Sequence, residues 1–320
     1  MEASEAEASQ QLAALGSIVT LQSSGLALTL LPERGALACS LVHRPSGTEL
    51  LRRPRALADL DAEPFTHGIP ILFPAGRIAG AQCTVDGRVF RWPVNDSLGS
   101  NHLHGFLWSI PWQVREQTGH RVRLEPTAAG QAHASEGFGA DFGASIVYQV
   151  DEHRMESRLT ISNRSRVVIP FGAGYHTSVA LTRPWLLRLP AGREWEMTRE
   201  SLPTGRLLEQ PVTLVGVDEG LSVPDLVSDT GYRPHDGVPN VARLWDPQSG
   251  VAVKMEGEFP LAQWVVYRPN LGAAFVSVEP VTWVHNAPNL PLDAHLTGNA
   301  VLKPGEARSL TYRWTITGGQ

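Results

Sequence analysis

The feature that most constrains the fold is a long succession of short apolar runs, each broken by a Gly, Pro, Asn or Asp turn, with almost no helical period between them. Ser145-Ile-Val-Tyr-Gln-Val and Met155-Glu-Ser-Arg-Leu-Thr-Ile-Ser-Asn alternate polar and apolar residues with period two, and Asp151-Glu152 sits between them as a turn. Cys83-Thr-Val-Asp-Gly-Arg-Val-Phe is a hairpin whose Asp86-Gly87 pair supplies the tight turn. Runs beginning at Ile18, Leu26, Gly35, Val167, Val241, Val251, Gln263, Ala273 and Leu310 read as further strands, and Asp246-Pro-Gln-Ser-Gly250 turns between two of them. Helical periodicity is weak throughout. The expectation is an all-β chain: one large antiparallel β-sandwich with long loops and little helix over 18–320, after an Ala/Glu/Gln/Ser-rich N-terminal tail over 1–17. The segment 190–240, where Pro, Gly and Asp cluster, is expected to be a loop excursion.

Composition matters here chiefly for what it excludes. The net charge is -5, and the arginines are scattered rather than gathered into a basic stripe, so no nucleic-acid partner is expected. Cys39 and Cys83 match no zinc or redox spacing and read as reduced, buried thiols. The first twenty residues carry acidic charge and lack an apolar signal core, and no run approaches eighteen apolar residues. A cytoplasmic protein without a membrane partner is the expectation.

Four places carry candidate chemistry. The apolar run from His67 to Ala75 ends at Gly76-Arg77, a lone cation that reads either as a turn arginine or as part of a site. His102 and His104, two apart, point the same way if their backbone is extended. They suggest a metal pair, but the acid such a pair needs does not follow until Glu116, so no metal is expected. His176 follows a strand and the glycines 172 and 174, where a backbone can approach a ligand closely; a satisfied structural histidine is the alternative. Glu279 ends the apolar strand Val276-Ser-Val just before Pro280, where burial makes a carboxylate costly unless it is partnered by an arginine or works as a base. No dinucleotide fingerprint or phosphate-binding loop is present.

Taken together and in order, Gly76-Arg77-Ile78, Leu103-His104-Gly105, Tyr175-His176 and Val278-Glu279-Pro280 resemble the aldose 1-epimerase (galactose mutarotase-like) superfamily. Asp229-Thr-Gly-Tyr232 ahead of Ala242-Arg243 and Pro247-Gln-Ser-Gly250, and Gln263 before Tyr267, are similar to further features of that family; the likeness spans about residues 20 to 318. The resemblance implies a supersandwich fold and a cofactor-free isomerase that interconverts the anomers of an aldose. It implies Glu279 as base on the anomeric hydroxyl and His176 as acid on the ring oxygen. His104 and Arg77 would hold the ring-oxygen side, and Asp229 and Gln263 the more distant hydroxyls. Trp108, Trp112, Trp264 and Trp283 flank these motifs and could stack on a sugar, with core packing expected for most. Two departures stand out: the family's Asn before the Arg is Gly76 here, and His176 is followed by Thr-Ser-Val instead of Pro-Tyr-Phe. The run Gly-Ile-Pro-Ile-Leu-Phe-Pro also looks like the hexose-phosphate branch. A hexose-6-phosphate mutarotase therefore stays open, with Arg183, Arg233 and Arg268 as candidate phosphate anchors. So does a non-catalytic carbohydrate-binding protein. The expected partner is a small-molecule sugar, and the expected state a monomer or weak homodimer.

Overall fold

The period-two runs form the two large sheets of a computed structural model that describes residues 15–318; positions 1–14 of the expected tail lie outside it. The nine-stranded sheet is antiparallel at every pairing. Its centre is Phe142–Val150, Arg154–Asn163, Ala307–Thr317, Ala252–Gly257 and Val241–Trp245, hydrogen-bonded in that order. The eight-stranded sheet runs Pro203–Leu208, Gly192–Met197, Ser228–Pro234, Gln263–Arg268, Phe275–Val281, Gly174–Tyr175 and Ile71–Leu72, with Ser178–Ala180 also pairing Phe275–Val281. A four-stranded sheet begins at Val19–Gln22 and Leu26–Leu31. The hairpin Gln82–Val85/Arg88–Arg91 turns on Asp86 (φ 49°) and Gly87 (φ 75°), the left-handed pair that a two-residue hairpin loop demands.

Alternation sends one side of each large sheet into a shared core. Tyr175 of the eight-stranded sheet stacks on Tyr312 of the nine-stranded sheet at 5.3 Å between ring centroids. Trp112, Trp264, Trp283 and Trp314 are fully buried, so three of the four tryptophans considered for sugar stacking are core residues. The fourth, Trp108, packs edge-on against Phe65 and donates its indole N–H to the Gly105 carbonyl.

Two expectations require correction. The segment 190–240 is no loop excursion: Gly192–Met197, Pro203–Leu208 and Ser228–Pro234 are three consecutive members of the eight-stranded sheet. Its turn residues lie in the connections between these strands, the longest of which runs from Leu208 to Leu221. The weak helical signal also hides an eleven-residue helix, Ala128–Phe138. Thr127 caps it by accepting from the Gly130 amide, but its buried positions are Gly130, Ala134 and Phe138. Two of the three carry almost no side chain, so the buried stripe leaves little hydrophobic pattern. Cys39 and Cys83 are free and buried.

Candidate active site

The outer face of the eight-stranded sheet carries the candidate chemistry, and its register explains why. Asp229 lies across from Tyr267, and Val265 across from Glu279, so these four side chains share one face of three adjacent strands. Gly174 pairs with Val281 and Ser178 with Ser277 in the same register, which brings the intervening His176 opposite Glu279. His176 Nε2 lies 3.1 Å from Glu279 Oε1, and both side chains are buried. The His176 amide donates to the Pro70 carbonyl, and the Val278 amide donates to the Thr177 carbonyl, fixing the two backbones.

Two loops close the face into a cleft. Arg77–Ile78 pairs with His102–Leu103, and the His104 amide donates to the Gly76 carbonyl. His104 and Gly105 then take positive φ, 63° and 69°. Gly105 is required there, because a Cβ would lie 1.9 Å from the Phe73 carbonyl oxygen. This turn overrides the expectation that His102 and His104 point the same way: the backbone is not extended at 104. His102 packs on Trp92 and Phe106 with Nδ1 at 2.8 Å from the Pro93 carbonyl, while His104 lines the cleft. The His104 and His176 rings meet edge to face at 5.2 Å.

Arg77 is a buried arginine rather than a turn residue. Its Nε lies 3.1 Å from Asp96 Oδ2 and its guanidinium 3.5 Å from Asp229 Oδ2. Asp96 also accepts from the Asn101 amide nitrogen at 3.0 Å, and Asp229 from the Ser201 hydroxyl at 2.5 Å. The lining residues enclose about 430 Å³ of atom-free space, part of it open to solvent. Besides the groups already named, Phe65, Thr66 and His285 complete the lining.

Of the six residues singled out from the sequence, five line this cleft: Arg77, His104, His176, Asp229 and Glu279. Gln263 does not. Its carboxamide oxygen accepts from the Trp195 indole at 3.1 Å and its nitrogen donates to the Leu296 carbonyl at 2.8 Å. Both ends of the amide are engaged within the protein, in a place with 1% exposure. The three candidate phosphate anchors do not converge either. Arg183 pairs with Asp246, Arg233 with Asp236, and Arg268 donates to the carbonyls of Leu226 and Leu271, among others. Asp96, Tyr267 and His285 escaped the sequence reading. His285 had a usable signal, since a histidine ends the apolar run Val281-Thr-Trp-Val six residues beyond Glu279.

Burial sets the protonation of the site. It pushes the Glu279 carboxyl well above the usual carboxylate range, assisted by Asp229 and opposed by Arg77. It lowers His176 to about 3, with Arg77 adding to the effect. His104 is likewise held well below its ordinary value by burial and by His176. The His176–Glu279 pair therefore favours neutral imidazole beside a protonated carboxyl, with one transferable proton across 3.1 Å. Among the described residues, no group of three or more His, Cys, Asp or Glu side chains is arranged to hold a metal ion. Among the same described residues, no helix is long and apolar enough to cross a membrane.

Comparison with known proteins gives the family and the fold. The family model for aldose 1-epimerase matches residues 17–315. A galactose mutarotase-like protein from Clostridium acetobutylicum superposes with a TM-score of 0.86 at 20% identity, covering 94% of this chain and 95% of that one. A galactose 1-epimerase from Lactobacillus acidophilus superposes with a TM-score of 0.73 at 16% identity, covering 95% of both chains. At these identities the likeness is one of fold, and it shows the galactose mutarotase-like sandwich. Among curated sequences, "uncharacterized protein YphB" of Escherichia coli is 22% identical over 199 residues, which span 62% of this chain and 64% of that relative.

Proposed function

Because the chain belongs to the aldose 1-epimerase family, we propose that it interconverts the α and β anomers of an aldose by opening and reclosing the pyranose ring, with Glu279 and His176 as the proton-transferring pair. The observation that carries this reading is the buried 3.1 Å contact between His176 Nε2 and Glu279 Oε1 at a cleft with charged and imidazole walls. The competent form has the shared proton on His176. The Glu279 carboxylate takes the proton from the anomeric O1–H, the bond from C1 to the ring oxygen breaks, and the His176 imidazolium protonates that oxygen. The open aldehyde turns about its C1–C2 bond, and the same steps in reverse close the ring on the other face.

Opening leaves a neutral carboxyl beside a neutral imidazole. That is the proton arrangement burial favours at these two positions, so the cleft's electrostatics assist ring opening. Arg77, held by two carboxylates, offers its guanidinium to oxygen as charge develops, and His104 lies edge-on to His176 at the ring-oxygen side. Asp229 receives ring hydroxyls. The ring of Phe65 supplies an apolar wall suited to the sugar's C–H face. Gln263 has no direct role. The two structural relatives are a galactose mutarotase-like protein and a galactose 1-epimerase, which makes D-galactose the first substrate to test. The setting in this reading is cytoplasmic, with the enzyme a monomer or weak homodimer.

Saturation transfer between the two anomeric proton resonances of D-galactose and a panel of other free aldoses tests the proposal. The wild-type protein should accelerate exchange for at least one sugar. Unaccelerated exchange across the panel sinks the reading.

A further inference from the structure

His285 lines the cleft but takes no part in the proton transfers, and its surroundings assign it a definite chemical form. Nδ1 lies 3.2 Å from the Ser201 carbonyl oxygen. A carbonyl only accepts, so Nδ1 carries the proton and Nε2 presents a lone pair. No described hydrogen bond reaches Nε2, while the ring forms part of the cleft wall beside Arg77 and Asp229. Burial and the Arg77 guanidinium hold the imidazolium form down to about 4, so the ring stays neutral near pH 7. The backbone fixes its position: Asn286, at φ 60°, donates its amide to the Arg77 carbonyl and accepts the Ala79 amide on its side chain.

Gly76 supplies an independent observation. A Cβ there would sit 2.5 Å from His285 Cδ2 and 3.1 Å from Nε2. Any side chain at 76 and the imidazole at 285 compete for one volume, and this chain has given that volume to the imidazole.

We infer that His285 is a substrate-positioning residue whose Nε2 accepts a hydrogen bond from one sugar hydroxyl, and that Gly76 is what admits it to the cleft. This rests on reading the cleft as a sugar site. It also sets a selectivity rule: the sugar must present an O–H donor at that corner. A fluorine, a methoxyl or a bare CH2 there leaves Nε2 without its partner.

The test combines His285→Ala with D-galactose, D-glucose and their monodeoxy and monofluoro derivatives at each ring hydroxyl. Affinity is read by calorimetry, and kcat and KM by anomer exchange. For the wild type, removing one particular hydroxyl should weaken binding about tenfold, the order expected of one neutral hydrogen bond. His285→Ala should bind the parent sugar about tenfold more weakly, with KM raised and kcat within about twofold. It should no longer distinguish the parent from that one derivative, while still distinguishing the others. A merely structural role would weaken all sugars alike and leave every discrimination in place, and that result overturns the inference. Imidazole ¹⁵N spectra of the wild type give a reading that needs no variant. The His285 Nε2 resonance should move on adding the parent sugar and stay put with the one derivative; an unmoved resonance with every sugar overturns the inference. A wild type that binds an aldose but accelerates anomer exchange for none overturns the proposed activity alone, and one that binds no aldose overturns both.

Discussion

Replacing Glu279 with Gln should stabilise the protein and disable it, and the stability gain should grow with pH. The side chain is 2% exposed, in register with Val265, with His176 Nε2 as its hydrogen-bonding neighbour. Burial, reinforced by Asp229, raises its pKa well above the ordinary 4.5. Above that ordinary value the unfolded chain releases its proton while the folded protein retains one. The unfolded state then binds fewer protons, and stability falls as pH rises towards the folded pKa, by up to about 1.4 kcal/mol per pH unit. Glutamine has no proton to release and still offers an oxygen to His176. The margin of Glu279→Gln over wild type should therefore widen as the pH rises from roughly 5 to 7, by up to about 1.4 kcal/mol per unit. Urea unfolding of both proteins at the two pH values measures it. Loss of the base should slow anomer exchange by about 10²–10⁴-fold. A margin that is constant or shrinks with pH, or a variant with the wild-type rate, would refute the reasoning.

Three further outcomes follow from the same geometry. His176→Asn should flatten the acid limb of the stability profile. The folded His176 binds fewer protons than the unfolded one between its ordinary 6.5 and about 3, so wild-type stability is lost as the pH falls through that window, by up to about 1.4 kcal/mol per unit for this one group; denaturant melts across this range check it. Asp96→Ala should cost about 3 kcal/mol, since it leaves the buried Arg77 guanidinium with Asp229 alone at 3.5 Å; chemical denaturation measures this, and exchange rates should fall with it. Gly105→Ala should cost at least about 2 kcal/mol and displace His104, because the position combines φ 69° with a Cβ site 1.9 Å from a backbone carbonyl; thermal unfolding and anomer exchange together test it.

How legible the molecule was in its sequence varied with the physical origin of each feature. Strands whose two faces see different surroundings announce themselves by alternation, as at Met155 to Asn163 against Ser145 to Val150. The Ala128–Phe138 helix does not, because its buried stripe is mostly Gly and Ala. Over 190–240 the abundance of turn residues obscured strands of six or seven residues that are held by their neighbours in the sheet. Glu279 stood out because a carboxylate in an apolar strand is expensive, and it does line the cleft. Gln263 resembled it in position but not in energetics: an amide can be satisfied at both ends inside the protein, and here it is. Asp96 does not line the cleft but holds Arg77 from 19 residues away in sequence, a contact that no local pattern reports. His104 depended on a single left-handed residue, which turned its side chain away from that of His102.

The most direct test of the central claim is polarimetry on a freshly dissolved pure anomer of the aldose that proves to be turned over. The wild-type protein should bring the rotation to its equilibrium value far faster than buffer, and Glu279→Gln and His176→Asn, each shown to be folded, should lose that acceleration by orders of magnitude. Wild-type rates in both folded variants would contradict the account.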